Sequence, residues 1–221
     1  MKNRDRIVIL ITLGISLLVY FESDQIFSER TRLTSFIANV LFKDNFHQII
    51  PTKLYRSAEM PSERLEQRIK ENGIKTVIDL RLSKDDEESA LTDLSEEETV
   101  NSLGAKYIHF PLRGTRELSR EELLGLLEIF KEVKPPLLVH CSSGTHRSGV
   151  VSAMWMIDQE QMSVSDAAQQ LSPRYGFFGF ERGLKSLIQG HATVDNLLWT
   201  FQEKQKAHNM TLREWAEGRQ G

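Results

Sequence analysis

The stretch "PPLLVHCSSGTHRSGVVSAMWMID", residues 135–158, sets the terms for the rest of the chain. Residues 135–140 form a short apolar run of the kind that makes a buried strand. Residues 147–158 have the length and apolar content of a helix. Between them lies a small, polar loop, with Cys141, the only cysteine in the chain, at its start and Arg147 six positions later. A loop that runs from a strand into a helix N-terminus can converge its backbone N–H groups on one point, and the helix dipole adds to their field. Gly144 permits the tight curvature this needs. The implied anion site is the size of a phosphate or sulfate group and is built from Ser142, Ser143, Gly144, Thr145, His146 and Arg147.

Cys141, at the floor of that site, is expected to be a thiolate near neutral pH. Arg147 offers two parallel N–H donors to phosphoryl oxygens, a fork that lysine lacks. Ser148 can place its hydroxyl near the sulfur. His140 can hydrogen-bond the loop backbone in a supporting role. These parts fit a two-step phosphoryl transfer through a phosphocysteine. No cofactor or metal is required by this chemistry.

Strands and helices alternate on the way to this motif. "KLYRSA" (53–58), "KTVIDLR" (75–81) and "AKYIHFPL" (105–112) read as strands. "MPSERLEQRIKENG" (60–73) reads as a helix that Asn72-Gly73 ends. "SREELLGLLEIFKEV" (119–133) opens with the capping-box spacing Ser119 to Glu122. The acidic run 83–99 reads as a solvated helix and loop. After the motif, helical patterns appear at 163–172, 181–189, 193–207 and 211–217. The expected fold class is α/β: one domain with a central, mostly parallel sheet flanked by helices, the phosphate-binding loop between the last strand and a helix, and a helical C-terminal half.

His-Cys-x5-Arg-Ser, with a glycine three residues after the cysteine, resembles the signature of the cysteine-dependent protein tyrosine phosphatase superfamily. The resemblance extends over about residues 45–190, through "NFHQIIPTKLYRSAEM", "IKTVIDLR" and "LSPRYGFFGFERGL". It is nearest to the compact dual-specificity phosphatases of the atypical plant and fungal type and their bacterial relatives. It implies Cys141 as nucleophile, Arg147 as phosphate clamp and Ser148 as the group that assists the sulfur. Many members place an aspartate general acid on the loop that corresponds to "RGTRELSREE" (113–122), and this loop has none. Glu117 is the candidate proton donor there, with Glu121 and Glu122 expected to serve the helix start. Asp79 is expected to accept hydrogen bonds, with Arg81 as partner. Arg56, Arg113 and Arg116 are candidate sources of further positive charge, and "RYGFFGF" (174–180) is expected to pack in the core, with an aromatic wall to the site as the alternative.

A single cysteine excludes an internal disulfide framework and a cysteine-rich metal site. The net charge of -3 gives no reason to expect a nucleic-acid partner. "IVILITLGISLLVYF" (7–21) carries no charge and follows the basic residues Lys2, Arg4 and Arg6. As a helix it would span about 22 Å, short of a ~30 Å hydrocarbon core, which suits an anchor helped by its flanks. The expectation is a membrane-anchored protein with a cytoplasmic N-terminus and an extracytoplasmic catalytic domain, or one exported after signal cleavage. The domain reading is an anchor over 1–27, an adapter over 28–50 and a catalytic domain over 51–221. Expected partners are a phosphotyrosine protein, a small phosphate ester or a phospholipid, and the membrane through residues 7–21. The expected activity is phosphate monoester hydrolysis, with a membrane phospholipid or inositol phosphate as alternative substrate. An inactive phosphate-binding module is the second class, but retention of both Cys141 and Arg147 argues against it. A rhodanese-type sulfur transferase would use a shorter loop.

Overall fold

The computed structural model describes residues 43–82, 94–114, 116–177 and 196–219. Five strands form one sheet: β1 (His47–Ile50), β2 (Leu54–Ala58), β3 (Thr76–Asp79), β4 (Lys106–His109) and β5 (Leu137–Cys141). Their order is β1-β2-β5-β3-β4, with β1 antiparallel to β2 and every other pair parallel. Seven helices are described: α1 (Ser62–Asn72), α2 (Leu94–Ser102), α3 (Arg120–Glu132), α4 (Arg147–Gln159), α5 (Val164–Ala167), α6 (Asn196–His208) and α7 (Leu212–Glu217). This is the α/β arrangement that the alternating pattern predicts.

Alternation along β5 divides the core. Leu137, Val139 and Cys141 join one cluster with Leu123, Leu126, Leu127 and Phe130 of α3 and most of α4. Leu138 joins the other, with Leu65 and Ile69 of α1 and Val100 of α2. β5 is thus covered on both faces and flanked on both edges, which is why its sequence is apolar throughout. The first eleven residues of α4 are buried as well, polar ones included, so this helix has no solvent stripe over that length. The chain leaves the sheet after Cys141, at the C-terminal end of a central parallel strand, where open α/β sheets place their binding crevices.

Local signals place several element ends where the sequence predicts them. Gly73 closes α1 in the left-handed conformation, with φ +62°. The capping box of α3 is complete: the Ser119 hydroxyl accepts the Glu122 N–H, and the Glu122 carboxylate accepts the Ser119 N–H. Within the 28–50 stretch read as an adapter, a turn at Lys43–Asn45 leads into β1, which pairs with β2 and completes the sheet. The helical pattern at 181–189 lies outside the described residues.

The membrane-anchored, extracytoplasmic location is corrected here. Among the described residues no helix is long and apolar enough to cross a membrane. The longest, α3, α4 and α6, have 13 residues each. That is about 20 Å of helix against a hydrocarbon core of ~30 Å. Residues 7–21, which carried the expectation, lie outside the described residues.

The capping box gives a stability test. Ser119→Ala removes the acceptor for the Glu122 N–H and should cost about 1 kcal/mol in urea unfolding. Ser119→Asn keeps an acceptor and should recover most of the loss.

Candidate active site

The loop from Cys141 to Arg147 is shaped by what its carbonyl groups meet on the outside. The Asn45 side-chain amide donates to the carbonyls of Ser143, at 3.2 Å, and Gly144, at 3.0 Å, and also to that of Tyr175, at 3.0 Å. The Arg56 guanidinium donates to the Gly144 carbonyl at 2.7 Å and the Thr145 carbonyl at 2.9 Å. The N–H and C=O of a trans peptide point in opposite directions. Three successive carbonyls held outward therefore turn the N–H groups of Gly144, Thr145 and His146 inward, toward one centre.

Gly144 makes this geometry possible. Its φ is +68°, and a Cβ there would lie 2.4 Å from the Ala58 nitrogen and 2.6 Å from the Ser57 carbonyl carbon. The loop rests directly on the end of β2, and backbone cannot move aside for a methyl group.

Cys141 is 1 % exposed, and its Sγ lies 3.5 Å from the Ser148 Oγ. Burial by itself disfavours the thiolate. The Arg147 guanidinium, the Ser148 hydroxyl and the N–H groups of Ser148 and Gly144 outweigh it, and hold the thiol below its ordinary value. Arg147 is itself buried and aimed. Its Nη1 donates to the carbonyls of Leu80 and Leu112, each at 3.3 Å, and its Nη2 to the Ser142 hydroxyl at 3.1 Å. These bonds tie the clamp to the chain ends that follow β3 and β4.

Three observations now stand together: a buried, acidified thiol, an inward-facing amide loop, and a buried, hydrogen-bonded guanidinium beside it. A family model described as "PTP-NADK: DSP-PTPase phosphatase fused to NAD+ Kinase" matches residues 39–182, well over half of the chain. The chain belongs to the DSP-PTPase phosphatase family. Solved structures agree at the level of fold. TpbA of P. aeruginosa is 20% identical, with a TM-score of 0.50, covering 73% of this chain and 92% of that one. TpbA has also been solved in complex with pTyr. A mutant form of Tk-PTP is 19% identical, with a TM-score of 0.52, over 73% and 97% of the two chains. The core catalytic domain of the PP-IP phosphatase SIW14 from S. cerevisiae, in complex with citrate, is 17% identical, with a TM-score of 0.50, over 76% and 96%. Comparison with curated proteins finds no match.

The turn from β5 into α4 carries Cys141, Ser142, Ser143, Gly144, Thr145, His146, Arg147 and Ser148. The Ser143 and Thr145 hydroxyls lie 2.6 Å apart. His146 stands at the start of α4, its ring edge-on to Phe177 with centroids 5.0 Å apart. His140 is close in sequence but faces away. Strand alternation sends its side chain to the α1 and α2 side of the sheet, so it meets Glu96 and Asp79 rather than the loop backbone.

Arg56 is not at the mouth of the site. It is fully buried beneath the loop, and also donates to the Gln170 backbone carbonyl at 2.6 Å while its guanidinium lies 4.6 Å from the Tyr175 ring centre. Burial lowers it to about 10, with Cys141 and Tyr175 holding it up, so it stays charged at neutral pH. Tyr175 and Phe177 are buried, in line with the core-packing expectation, and residues 178–180 of that stretch lie outside the described residues.

The carboxylates of the 113–122 loop are each engaged. Glu122 pairs with Arg116 at 2.6 Å. Burial favours its neutral form, but Arg116 and the Ser119 N–H overcome this and lower it. Glu121 is lowered too, by hydrogen bonding at the helix start. Glu117 pairs with Arg219 at 3.3 Å.

Asn45, Gln170 and Glu96 were not singled out in the sequence. Asp44-Asn45 carried a turn signal, and the structure gives both residues positive φ, 70° and 47°. Glu96 shares a helical face with Val100 and Leu103, which marks it as inward-facing in retrospect. Gln170 had no signal, because its partner Arg56 is 114 residues away.

Thiol acidity can be measured directly. The pH profile of Cys141 alkylation by iodoacetamide should have its midpoint below that of an ordinary cysteine, about 8.5. Arg147→Met removes the nearest positive charge and should move the midpoint upward. Ser148→Ala should move it in the same direction by less. Gly144→Ala should lower the melting temperature by several degrees and erase the depression, since it forces the loop off β2.

Proposed function

We propose that the chain is a phosphatase that hydrolyses phosphate monoesters through a phosphocysteine on Cys141. The observation that carries this reading is the Cys141 thiol at the floor of an inward-facing amide loop, acidified by Arg147 and Ser148. The phosphate oxygens take the N–H groups of Gly144, Thr145 and His146 and, with a shift of its side chain, the Arg147 guanidinium. The thiolate attacks phosphorus, an S–P bond forms, and the P–O bond to the leaving group breaks. The departing oxygen keeps the electron pair and takes a proton. Water then attacks the phosphocysteine, the S–P bond breaks, and inorganic phosphate and the thiolate are released. The loop amides and Arg147 stabilise the charge on the equatorial oxygens in both steps. The Ser148 hydroxyl donates to the sulfur as it leaves.

The preferred substrate is a single aryl phosphate of the phosphotyrosine kind. Within the loop His146 is the only residue before Arg147 that can carry positive charge. Arg56 lies beneath the loop and Arg116 is held by Glu122, so neither presents its charge freely to a polyanionic substrate. The complex of TpbA with pTyr supports the same class.

Proton donation to the leaving oxygen is the weak part of the machinery. Glu121 and Glu122 are held ionised, and Glu117 faces Arg219. The reaction therefore depends on a leaving group that departs with little help. Para-nitrophenyl phosphate should be turned over far faster than an alkyl phosphate, and Glu117→Gln should leave the para-nitrophenyl rate within about twofold. Cys141→Ser should abolish turnover, and Arg147→Lys should lower kcat by about 100-fold or more, the scale of losing one preorganised donor. Absence of turnover by the intact protein between pH 5 and 8 would remove the enzymatic reading. A phosphotyrosine peptide should exceed inositol pyrophosphate in kcat/KM.

A further inference from the structure

Behind the loop, on the opposite face of β5, lies a buried cluster of charged groups that the proposed chemistry does not use. His140 is 2 % exposed, Asp79 0 %, Arg81 2 % and Glu96 5 %. Asp79 and His140 are direct partners in the β3–β5 register. The His140 Nε2 is 3.7 Å from the Asp79 Oδ1 and 2.8 Å from the Glu96 Oε1, an ion-pair approach lying off the line of a hydrogen bond. Arg81 binds Asp79 through Nε, at 2.9 Å and 3.1 Å, and through Nη2, at 2.7 Å. Arg81 also donates to Glu96, and to Glu59 at 3.2 Å. The Tyr107 hydroxyl donates to Asp79 at 2.8 Å.

Glu96 is the element of this cluster that comes from outside the sheet. It reaches in from α2, whereas Asp79 and His140 sit on the strands and Arg81 just beyond β3. Cys141 is bonded to His140, so any tilt of the His140 side chain and its peptide is passed to the point where β5 enters the loop. We propose that Glu96 is a positioning residue: by holding the His140 side chain from α2, it fixes the backbone on which the Cys141 thiol and the loop amides are mounted. The proposal rests on the phosphatase reading above, which supplies the reason for fixing that backbone.

Charge balance supports the arrangement. Asp79 and Glu96 carry two negative charges and Arg81 one positive charge. A protonated His140 brings these four groups to neutrality, and a neutral one would leave a buried excess of negative charge. Burial pulls His140 down, but Glu96 and Asp79 outweigh it and raise the imidazole above its ordinary value. Burial raises Glu59, at the edge of the cluster, toward its neutral form against the pull of Arg81. Tyr107 is raised by burial and by Asp79, so it remains a neutral donor. The same three ligand atoms of Asp79, Glu96 and His140 lie close enough to receive a metal ion. Arg81 already occupies both carboxylates, which favours a proton on His140 over a second cation.

The test is Glu96→Gln, which keeps the shape and removes the charge. The His140 imidazole signal, assigned with His140→Asn, should titrate above about 6.5 in the intact protein and lower in the variant. Para-nitrophenyl phosphate kcat should fall about tenfold, the order expected of a small misplacement, with KM little changed. The midpoint of Cys141 alkylation should move upward. In a His140→Asn background, adding Glu96→Gln should change kcat by less than twofold, because the two residues act through one contact. Independent losses in the double variant would overturn the proposal. So would a shifted His140 titration with kcat and alkylation unchanged, since Glu96 would then only neutralise a buried charge. If Glu96→Gln does not fold, Glu96→Asp is read in the same assays, with a partial loss of kcat and alkylation rate expected and an unchanged profile counting against. A protein without turnover would sink the phosphatase reading, while alkylation and the His140 titration would still decide the role of Glu96.

Discussion

Peptide N–H groups can face a bound anion only if their carbonyls find partners on the other side. In this protein those partners are Asn45 and Arg56, which take up the carbonyls of Ser143, Gly144 and Thr145. An unpaired buried carbonyl is costly, so without these donors the peptides would tend to rotate and the converging amides would be lost. The rest of the site follows from that constraint. β2 must end beside the loop to deliver Arg56, and the turn before β1 must fold back to deliver Asn45. Gly144 must be a glycine because β2 lies so close behind it.

Two charged groups on opposite faces of β5 illustrate how burial is made tolerable. Arg56 keeps its charge by binding carbonyl oxygens and lying against Tyr175. Arg81 keeps its charge chiefly through Asp79 and Glu96, with Glu59 at the edge of the cluster. Neither is a surface ion pair of small consequence. Removing one member of either group would strand the others in a medium that solvates them poorly. The loop carbonyls are therefore held from below by the Arg56 guanidinium and the Asn45 amide, while the carboxylates behind β5 meet Arg81 and His140. The inner side of the loop is then left to amides and the Arg147 guanidinium.

Much of this fold was legible in order of residues. The strand, loop and helix of 135–158 lie at nearly their expected boundaries, because two apolar segments bracket an unambiguous polar loop. The Ser119–Glu122 box and the Gly73 stop are local signals that involve neighbours in sequence, and they appear as expected. The departures share a different character. The acidic run up to residue 99 has the composition of a solvated segment, yet Glu96 is buried. Arg56 is a candidate source of charge for substrate by type, yet it supports the loop. His140 adjoins the loop in sequence, yet it faces α2. In each case the residue type was informative, and its direction was not.

Local pattern alone places the thiol, the arginine and the serine at one strand–loop–helix junction. Cys141 lies six positions before Arg147 and seven before Ser148, between an apolar strand and a helix, so the three residues share one turn. Which distant side chains hold that turn, and which carboxylates are already engaged, follows from how the elements pack. Asn45 lies 99 residues from the Gly144 it binds, and Arg56 lies 114 from Gln170. Contacts of that separation are set by strand order and register, and the β1-β2-β5-β3-β4 order is what brings β2, β3 and β5 together. Local pattern carries the period of an element and the chemistry of its residues. Which neighbour a buried charge finds depends on how the elements pack, and a single strand of sequence does not contain it.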